Sequence, residues 1–434
     1  MRTLNASARG FEKRLLSFIE TVNDLSDVAG PVSDVLSAIK DRGDAALIEF
    51  TERFDGVTHT PKTLRVPEKA LKNALSLLGR DQKRAFKAAI ASVAEFHKQT
   101  LPKSWKSKNG HGATVGERFY PINRVGLYVP GGQVPLVSTV IMTSVLAKIA
   151  GVPSIAVATP PSAANGGLPS STMLAALNLC GIEEVYALGG AQAIGAFGYG
   201  TQSIPAVDKV FGPGNAFVNE AKRQLFGRVG IDLQPGPSEV MIIADETANP
   251  VFVAADLLAQ AEHGTGKEKV FLAVPSQEFL DQVQQSIQDQ LPTCNHADAI
   301  AKVLKIGALG IITPTLEHAV KAANMVAPEH LELQVQAKLI ESLTKKITTA
   351  GAILQGHWTP TVLGDFTAGP SHTLPTGRTS RFFSGLQVTD FMRRSSIVKY
   401  SRSQLEKAQE TVSLFSELEQ LDAHGNSLNI RLGN

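Results

Sequence analysis

Cysteine is scarce: the 434 residues contain two, Cys180 and Cys294. That excludes a disulfide framework and fits a reducing compartment. Neither has a second cysteine nearby to suggest a metal knuckle, and Cys180, in the apolar run 174–181, reads as a buried thiol. An excess of one charge is also missing. Forty-two Lys and Arg against 40 Asp and Glu leave a net charge of +2. This gives no electrostatic reason to expect nucleic acid or an anionic membrane as partner. Lys103, Lys106 and Lys108 read as a solvated loop. Long uninterrupted apolar runs are absent. The most apolar window, 138–158, contains Lys148, Gly151 and Pro153 and divides into helix, turn and strand, which argues against a membrane span. The first twenty residues lack the apolar core and small-residue cleavage site of an export signal, so the expected location is the cytoplasm. Low-complexity segments and short repeats are missing too.

What remains is an ordinary folded composition, 43% hydrophobic and 19% charged, long enough for two or three domains. To about Tyr120 the chain is polar and helix-rich. From Arg124 short β-branched runs alternate with amphipathic helices. Strands are expected at 124–129, 154–159, 185–188 and 209–211, with helices at 138–150 (Ser138 as N-cap), 170–179 and from Ala191. The rhythm restarts with strands at 239–244, 269–275, 309–313 and 352–354, and helices at 250–263 and 316–326. Such alternation predicts an α/β fold with parallel sheets covered by helices. It gives two units, 124–234 and about 239–356, the second recruiting the N-terminal region to complete its sheet. From about Ser401 the tail reads as one charged amphipathic helix with no core of its own, which must pack on something else, such as another subunit.

A parallel sheet places ligands at the carboxyl ends of its strands. Glycine clusters stand where those ends should be: Pro130-Gly131-Gly132, Gly189-Gly190, Gly212-Pro213-Gly214 and Gly236-Pro237. Each would let a phosphate approach the backbone, yet GxGxxG is missing, and any one cluster alone reads as a tight turn. Of ten histidines, His59, His97, His111, His296, His318 and His357 have no evident partner and read as surface or structural. Gln260 and His263, three apart, share a helical face. Glu329-His330 follows Pro328 at a helix end and could supply a general base beside a water activator. Asp365 and His372 frame the loop GDFTAGPSH, and His424 ends the tail helix five residues after Glu419. Histidine, carboxylate and carbonyl oxygen suit zinc, but no compact HExxH appears, so spacing alone does not define a metal site.

At these residues the sequence resembles the histidinol dehydrogenase family over nearly its full length. The matching stretches are RVGLYVPGG (124–132), GGAQAIGA (189–196), VDKVFGPGNAFVNEAKRQ (207–224), GPSEVMIIAD (236–245), DLLAQAEHG (256–264), APEHLEL (327–333), GDFTAGPSHTLPTG (364–377) and LDAHGNSL (421–428), in the family's order. About the first hundred residues match only in helical character. The resemblance implies two incomplete Rossmann-like parallel-sheet domains with small helical terminal segments. On this chain they would divide as 1–25, a discontinuous domain 26–123 with 238–380, an NAD-contacting domain 124–237, and a tail 381–434. It implies one zinc ion per subunit held by Gln260, His263, Asp365 and His424. It implies L-histidinol contacts at Ser238, Gln260, His263, His330, Asp365, His372, Glu419 and His424, and NAD contacts at Tyr128, Gln192 and Asn215. Glu329 and His330 are implied as the catalytic pair, working in a homodimer whose tail completes the partner's site. Phe366 stands where the family often has Tyr, and Ser371 where it often has Asn. Three other readings stay open: a relative oxidising a different amino- or sulfo-alcohol, a zinc hydrolase with Glu329 as base, and a two-lobed binding protein.

Overall fold

The computed structural model describes residues 1–20, 28–131, 136–263 and 266–433, so Gly132 and Gly264 of the stretches above lie outside the described residues. The strands are β1 Arg2–Asn5, β2 Trp105–Lys108, β3 Thr114–Pro121, β4 Arg124–Tyr128, β5 Ser154–Thr159, β6 Glu184–Ala187 and β7 Lys209–Phe211. Then come β8 Gly230–Ile231, β9 Glu239–Ala244, β10 Lys269–Val274, β11 Ala308–Ile312, β12 His330–Gln334, β13 Ala352–Gln355 and β14 Met392–Lys399.

They form two parallel sheets and one antiparallel sheet. One parallel sheet runs β6-β5-β4-β7-β8. The other runs β1-β11-β10-β9-β12-β13. With β1 set aside, both have the order third-second-first-fourth-fifth in their own chain sequence, the doubly wound pattern. The strand sequences explain the parallel pairing. β9 (EVMIIA) and β10 (KVFLAV) are buried at every position, as strands covered on both faces must be. Alternate side chains feed two cores: Met241 and Ile243 face one cluster, Val240, Ile242 and Ala244 the other. The expected α/β class and most of the expected strands are thus present, and β1 does complete the sheet of the second unit.

Several expectations are corrected. β14-β3-β2 is an antiparallel sheet that the polar residues 105–121 did not disclose. Glu329-His330 is not a loop pair, since His330 opens β12. The helix expected from Ser138 begins at Val137, and Leu136 at its N-cap gives no side-chain hydrogen bond. The chain opens with a strand before its first helix, Phe11–Glu20. The tail holds β14 and three short helices, Arg402–Glu406, Gln409–Leu418 and Asp422–Leu432, where one helix was expected.

The segment leading into β14 is pinned through Phe391. Its ring stacks on Phe211 of β7 with centroids 3.9 Å apart, and both are fully buried. Phe391→Ala is expected to cost about 3–5 kcal/mol of stability in denaturant unfolding, by emptying an aromatic site that cannot collapse.

Candidate functional site

The residues singled out in the six-stranded sheet do meet, but at the amino ends of its strands. Glu329 and His330 stand at the start of β12, and Ser238 just precedes β9. This corrects the expectation that the carboxyl ends carry the whole site. Helix Leu316–Val326 ends at Ala327, a non-glycine residue in the left-handed region (φ 49°). Pro328 then turns the chain into β12. The Ser380 hydroxyl donates to the Ala327 carbonyl at 2.7 Å and holds this strained corner.

Glu329 is 6% exposed, and its Oε2 accepts the Glu239 N–H at 2.9 Å. Burial first, then the nearby carboxyls of Glu239 and Asp365, raise its pKa well above the ordinary value. His330 Nδ1 lies 3.8 Å from Glu329 Oε2, and its Nε2 lies 3.8 Å from Asp365 Oδ1. Nδ1 is buried with no hydrogen-bond partner. Burial, aided by His372 and His263, pushes the imidazole pKa down to about 3. His330 is therefore neutral at pH 7 and able to accept a proton.

His372 Nδ1 is 3.9 Å from Asp365 Oδ1, and burial lowers its pKa to about 4. Its Nε2 reaches the Thr139 hydroxyl at 3.4 Å. Thr139 sits in the first turn of helix Val137–Ile149, which follows β4. This contact joins the cluster to the carboxyl end of the five-stranded sheet. Asp365 is raised to about 6 by burial.

Gln260 and His263 come from the end of helix Pro250–Ala261. The Gln260 amide nitrogen is 3.2 Å from His263 Nδ1, and Gln260 is buried. His263 keeps an exposed edge, while the protein packed around its ring lowers its pKa. Imidazole nitrogen, amide oxygen and carboxylate are donors that suit a borderline divalent ion such as zinc. Among the described residues, no group of three or more His, Cys, Asp or Glu side chains is arranged to hold a metal. The implied set includes a glutamine and draws on the tail. There His424 and Glu419 are both exposed, on helices that pack chiefly on one another.

The residues implied for NAD lie at the carboxyl ends of the five-stranded sheet. Tyr128 ends β4, and its buried hydroxyl accepts the Gly190 N–H at 3.1 Å. Burial raises its pKa to about 12. Gln192 is buried, with its amide 3.4 Å from Asp55 Oδ2. Asn215 is exposed and caps helix Ala216–Leu225 by accepting from the Val218 N–H. Gly212 has φ +110°, and a Cβ there would fall 2.0 Å from the Tyr128 carbonyl oxygen, so this turn demands glycine. Lys222, fully buried, donates to the Gly212 carbonyl at 3.1 Å and pairs with Asp232, fixing the turn from beneath.

The sequence reading missed Asp55, Glu239 and Thr139. Asp55 is raised to about 6 by burial. Glu239 is raised to about 7 by burial against a nearby Lys269. A charged residue opening an apolar strand, as Glu239 does in EVMIIA, was the available signal. Of the six histidines read as surface or structural, His59 and His97 are indeed buried. His59, His111, His318 and His357 bond threonine or tyrosine hydroxyls away from the cluster.

Two parallel sheets, one offering glycine turns at its carboxyl ends and the other a neutral histidine among buried carboxyls, define an α/β enzyme with a cluster of titratable side chains at the amino ends of one sheet. The family model described as Histidinol dehydrogenase matches residues 20–432. A histidinol dehydrogenase of Synechococcus sp. is 42% identical over 400 residues, covering 92% of this chain and 91% of that one. One from Rhizobium meliloti is 40% identical over 430 residues, covering 99% and 98%. The crystal structure of histidinol dehydrogenase from Elizabethkingia anophelis superposes with a TM-score of 0.94 at 34% identity, covering 100% of this chain and 98% of that one. An acetylating aldehyde dehydrogenase from Geobacillus thermoglucosidasius, at 13% identity and TM-score 0.50, shares the fold alone. The chain belongs to the histidinol dehydrogenase family.

Proposed function

We propose that this protein oxidises L-histidinol through bound L-histidinaldehyde to L-histidine with two NAD, as a zinc-dependent, cytoplasmic homodimer. The observation that carries the reading is His330, buried and neutral, with Nδ1 3.8 Å from Glu329 Oε2 and Nε2 3.8 Å from Asp365 Oδ1. Gln260, His263, Asp365 and His424 of the partner subunit would hold the zinc. Bound zinc would anchor the substrate's nitrogen atoms, and bound NAD would accept two electrons and a hydrogen from the substrate carbon.

His330 takes the alcohol proton on Nε2, the nitrogen facing Asp365 and the convergent donors. A positioned base of this kind contributes about 10²–10⁴ in rate. Glu329 prepares water for addition to the aldehyde. It does so as the carboxylate, the form that a cation bound nearby favours. His330, after giving the alcohol proton to solvent, then removes a proton from the hydrate. His372 and Ser238 orient the substrate, and Glu419 of the partner subunit closes the site over it. Tyr128, Gln192 and Asn215 contact NAD across the turn at Gly212. Helices Ala29–Arg42, Glu68–Leu77 and Arg80–Lys98 pack chiefly on the helices of the five-stranded sheet, so residues 26–123 group with 124–237 and not, as expected, with 238–380. The absence, among the described residues, of a helix long and apolar enough to cross a membrane agrees with this reading.

The test is NADH formation from L-histidinol and NAD, with histidine quantified, before and after chelation. Two NADH per histidine, lost on chelation and restored by zinc, is the expected result. NAD binding without turnover of histidinol would move the substrate to a related alcohol.

A further inference from the structure

Glu332 is 1% exposed in the middle of β12, where an unpaired charge would be costly. It is not unpaired. Its Oε1 accepts from the Thr361 backbone N–H at 2.8 Å and from the Thr361 hydroxyl at 2.7 Å. Its Oε2 accepts from the Gln334 side-chain amide at 3.0 Å. The same amide nitrogen donates to Asp256 Oδ2 at 2.7 Å. One amide nitrogen thus bridges the Asp256 and Glu332 carboxyls.

Burial first, then the charge of Glu332, raises the pKa of Asp256 to about 8. Glu332 collects three donors, two from Thr361 and one from Gln334. The Gln334 side-chain carbonyl oxygen is left buried without a partner. The amide is turned to direct its N–H groups at the two carboxyls, leaving its own acceptor unmet.

The position of each member is regular. Asp256 precedes Gln260 by four residues on helix Pro250–Ala261, so both share one face. Thr361 precedes Asp365 by four on helix Thr361–Phe366 and shares its face likewise. Glu332 follows His330 by two on β12, on the same side of the sheet. One helical turn rises about 5.4 Å, and two strand residues about 6.6 Å. Each of these three elements therefore reaches the cluster one nearly equal step behind the residue it gives to the site.

We propose that Asp256, Glu332, Gln334 and Thr361 are positioning residues that lock these three elements in register, so that Gln260, His263 and Asp365 meet at one metal ion beside His330. The proposal rests on the zinc reading above. It assigns the cluster no contact with substrate. Its work is done through the spacing of other side chains, as outer partners do at metal sites.

The test is zinc affinity of the full-length dimer, measured by competition with a chromophoric chelator, with folding checked by circular dichroism. Asp256→Ala removes the acceptor that holds the Gln334 amide against helix Pro250–Ala261 and is expected to weaken zinc binding at least ~10-fold. Asp256→Asn keeps the shape and an acceptor for Gln334. It should hold zinc within about twofold of wild type, a rescue that loss of bulk or packing would not give. Thr361→Val removes one donor, keeps the helix and should weaken zinc several-fold; it decides the matter if the alanine variant does not fold. Wild-type affinity in folded Asp256→Ala or in Thr361→Val would overturn the proposal. So would an Asp256→Asn protein as weak as the alanine variant. Wild-type protein that takes up no zinc would overturn the metal reading itself, and this proposal with it.

Discussion

Mixing two inactive variants, His330→Asn and His424→Ala, and allowing subunits to exchange is expected to restore about a quarter of wild-type activity. The arithmetic follows from the tail. His330 lies in the body of the chain, while His424 is exposed on a terminal helix whose main contacts are within the tail itself. If the tail of one subunit completes the site of the other, a mixed dimer has one site with both defects and one with none. Random exchange makes half of the dimers mixed, so about one site in four is whole. If each chain completes its own site, every site in every dimer keeps one defect and no activity returns. Steady-state NADH production after denaturation and joint refolding reads the difference. Zinc per subunit in the separate His424→Ala protein should fall at the same time, and full zinc content there would remove His424 from the ligand set.

The second large effect separates the two oxidations. His330→Asn should lower both by about 10²–10⁴, because the same imidazole accepts a proton in each. Glu329→Gln should harm the aldehyde-to-acid half far more than the alcohol-to-aldehyde half. The amide can still fill the space and accept the Glu239 N–H, but it cannot take a proton from water. A single-turnover experiment would then show one NADH released quickly and the second slowly or not at all. A Glu329→Gln enzyme giving two NADH per histidinol at the normal rate would remove Glu329 from this role.

Much of the architecture is legible in the order of the amino acids. The strand–helix rhythm after Arg124 points to the α/β class because buried parallel strands must be apolar throughout, and EVMIIA and KVFLAV are close to that. β12 is harder. HLELQ is short and carries three polar side chains, His330, Glu332 and Gln334, on one face, although every position is buried, so it does not read as an apolar strand. β3 and β14 escape notice because most of their residues are partly or wholly exposed, which leaves little hydrophobic pattern to find. Gln260 and His263 can be placed on one helix face by spacing. No spacing says that Asp365 and His372, more than a hundred residues later, stand beside His330. That meeting is set by sheet order, which short-range pattern does not encode. The choice of the amino ends for the proton-transfer pair is equally hidden, since the doubly wound rule points the other way.

The two parallel sheets also differ in how they can be made. Strands β4 to β8 follow one another in a single stretch, with no strand of another sheet between them among the described residues. That sheet has all its strands as soon as β8 leaves the ribosome, and domains generally fold as units during synthesis. The other sheet is different. Its edge strand β1 is translated first, yet its neighbour β11 follows most of the chain later. β1 must therefore wait, unpaired, through the synthesis and folding of the five-stranded sheet. Closing so long a loop makes its pairing a late step. The order of manufacture is thus written into the topology, with the five-stranded sheet finished before the six-stranded one can close.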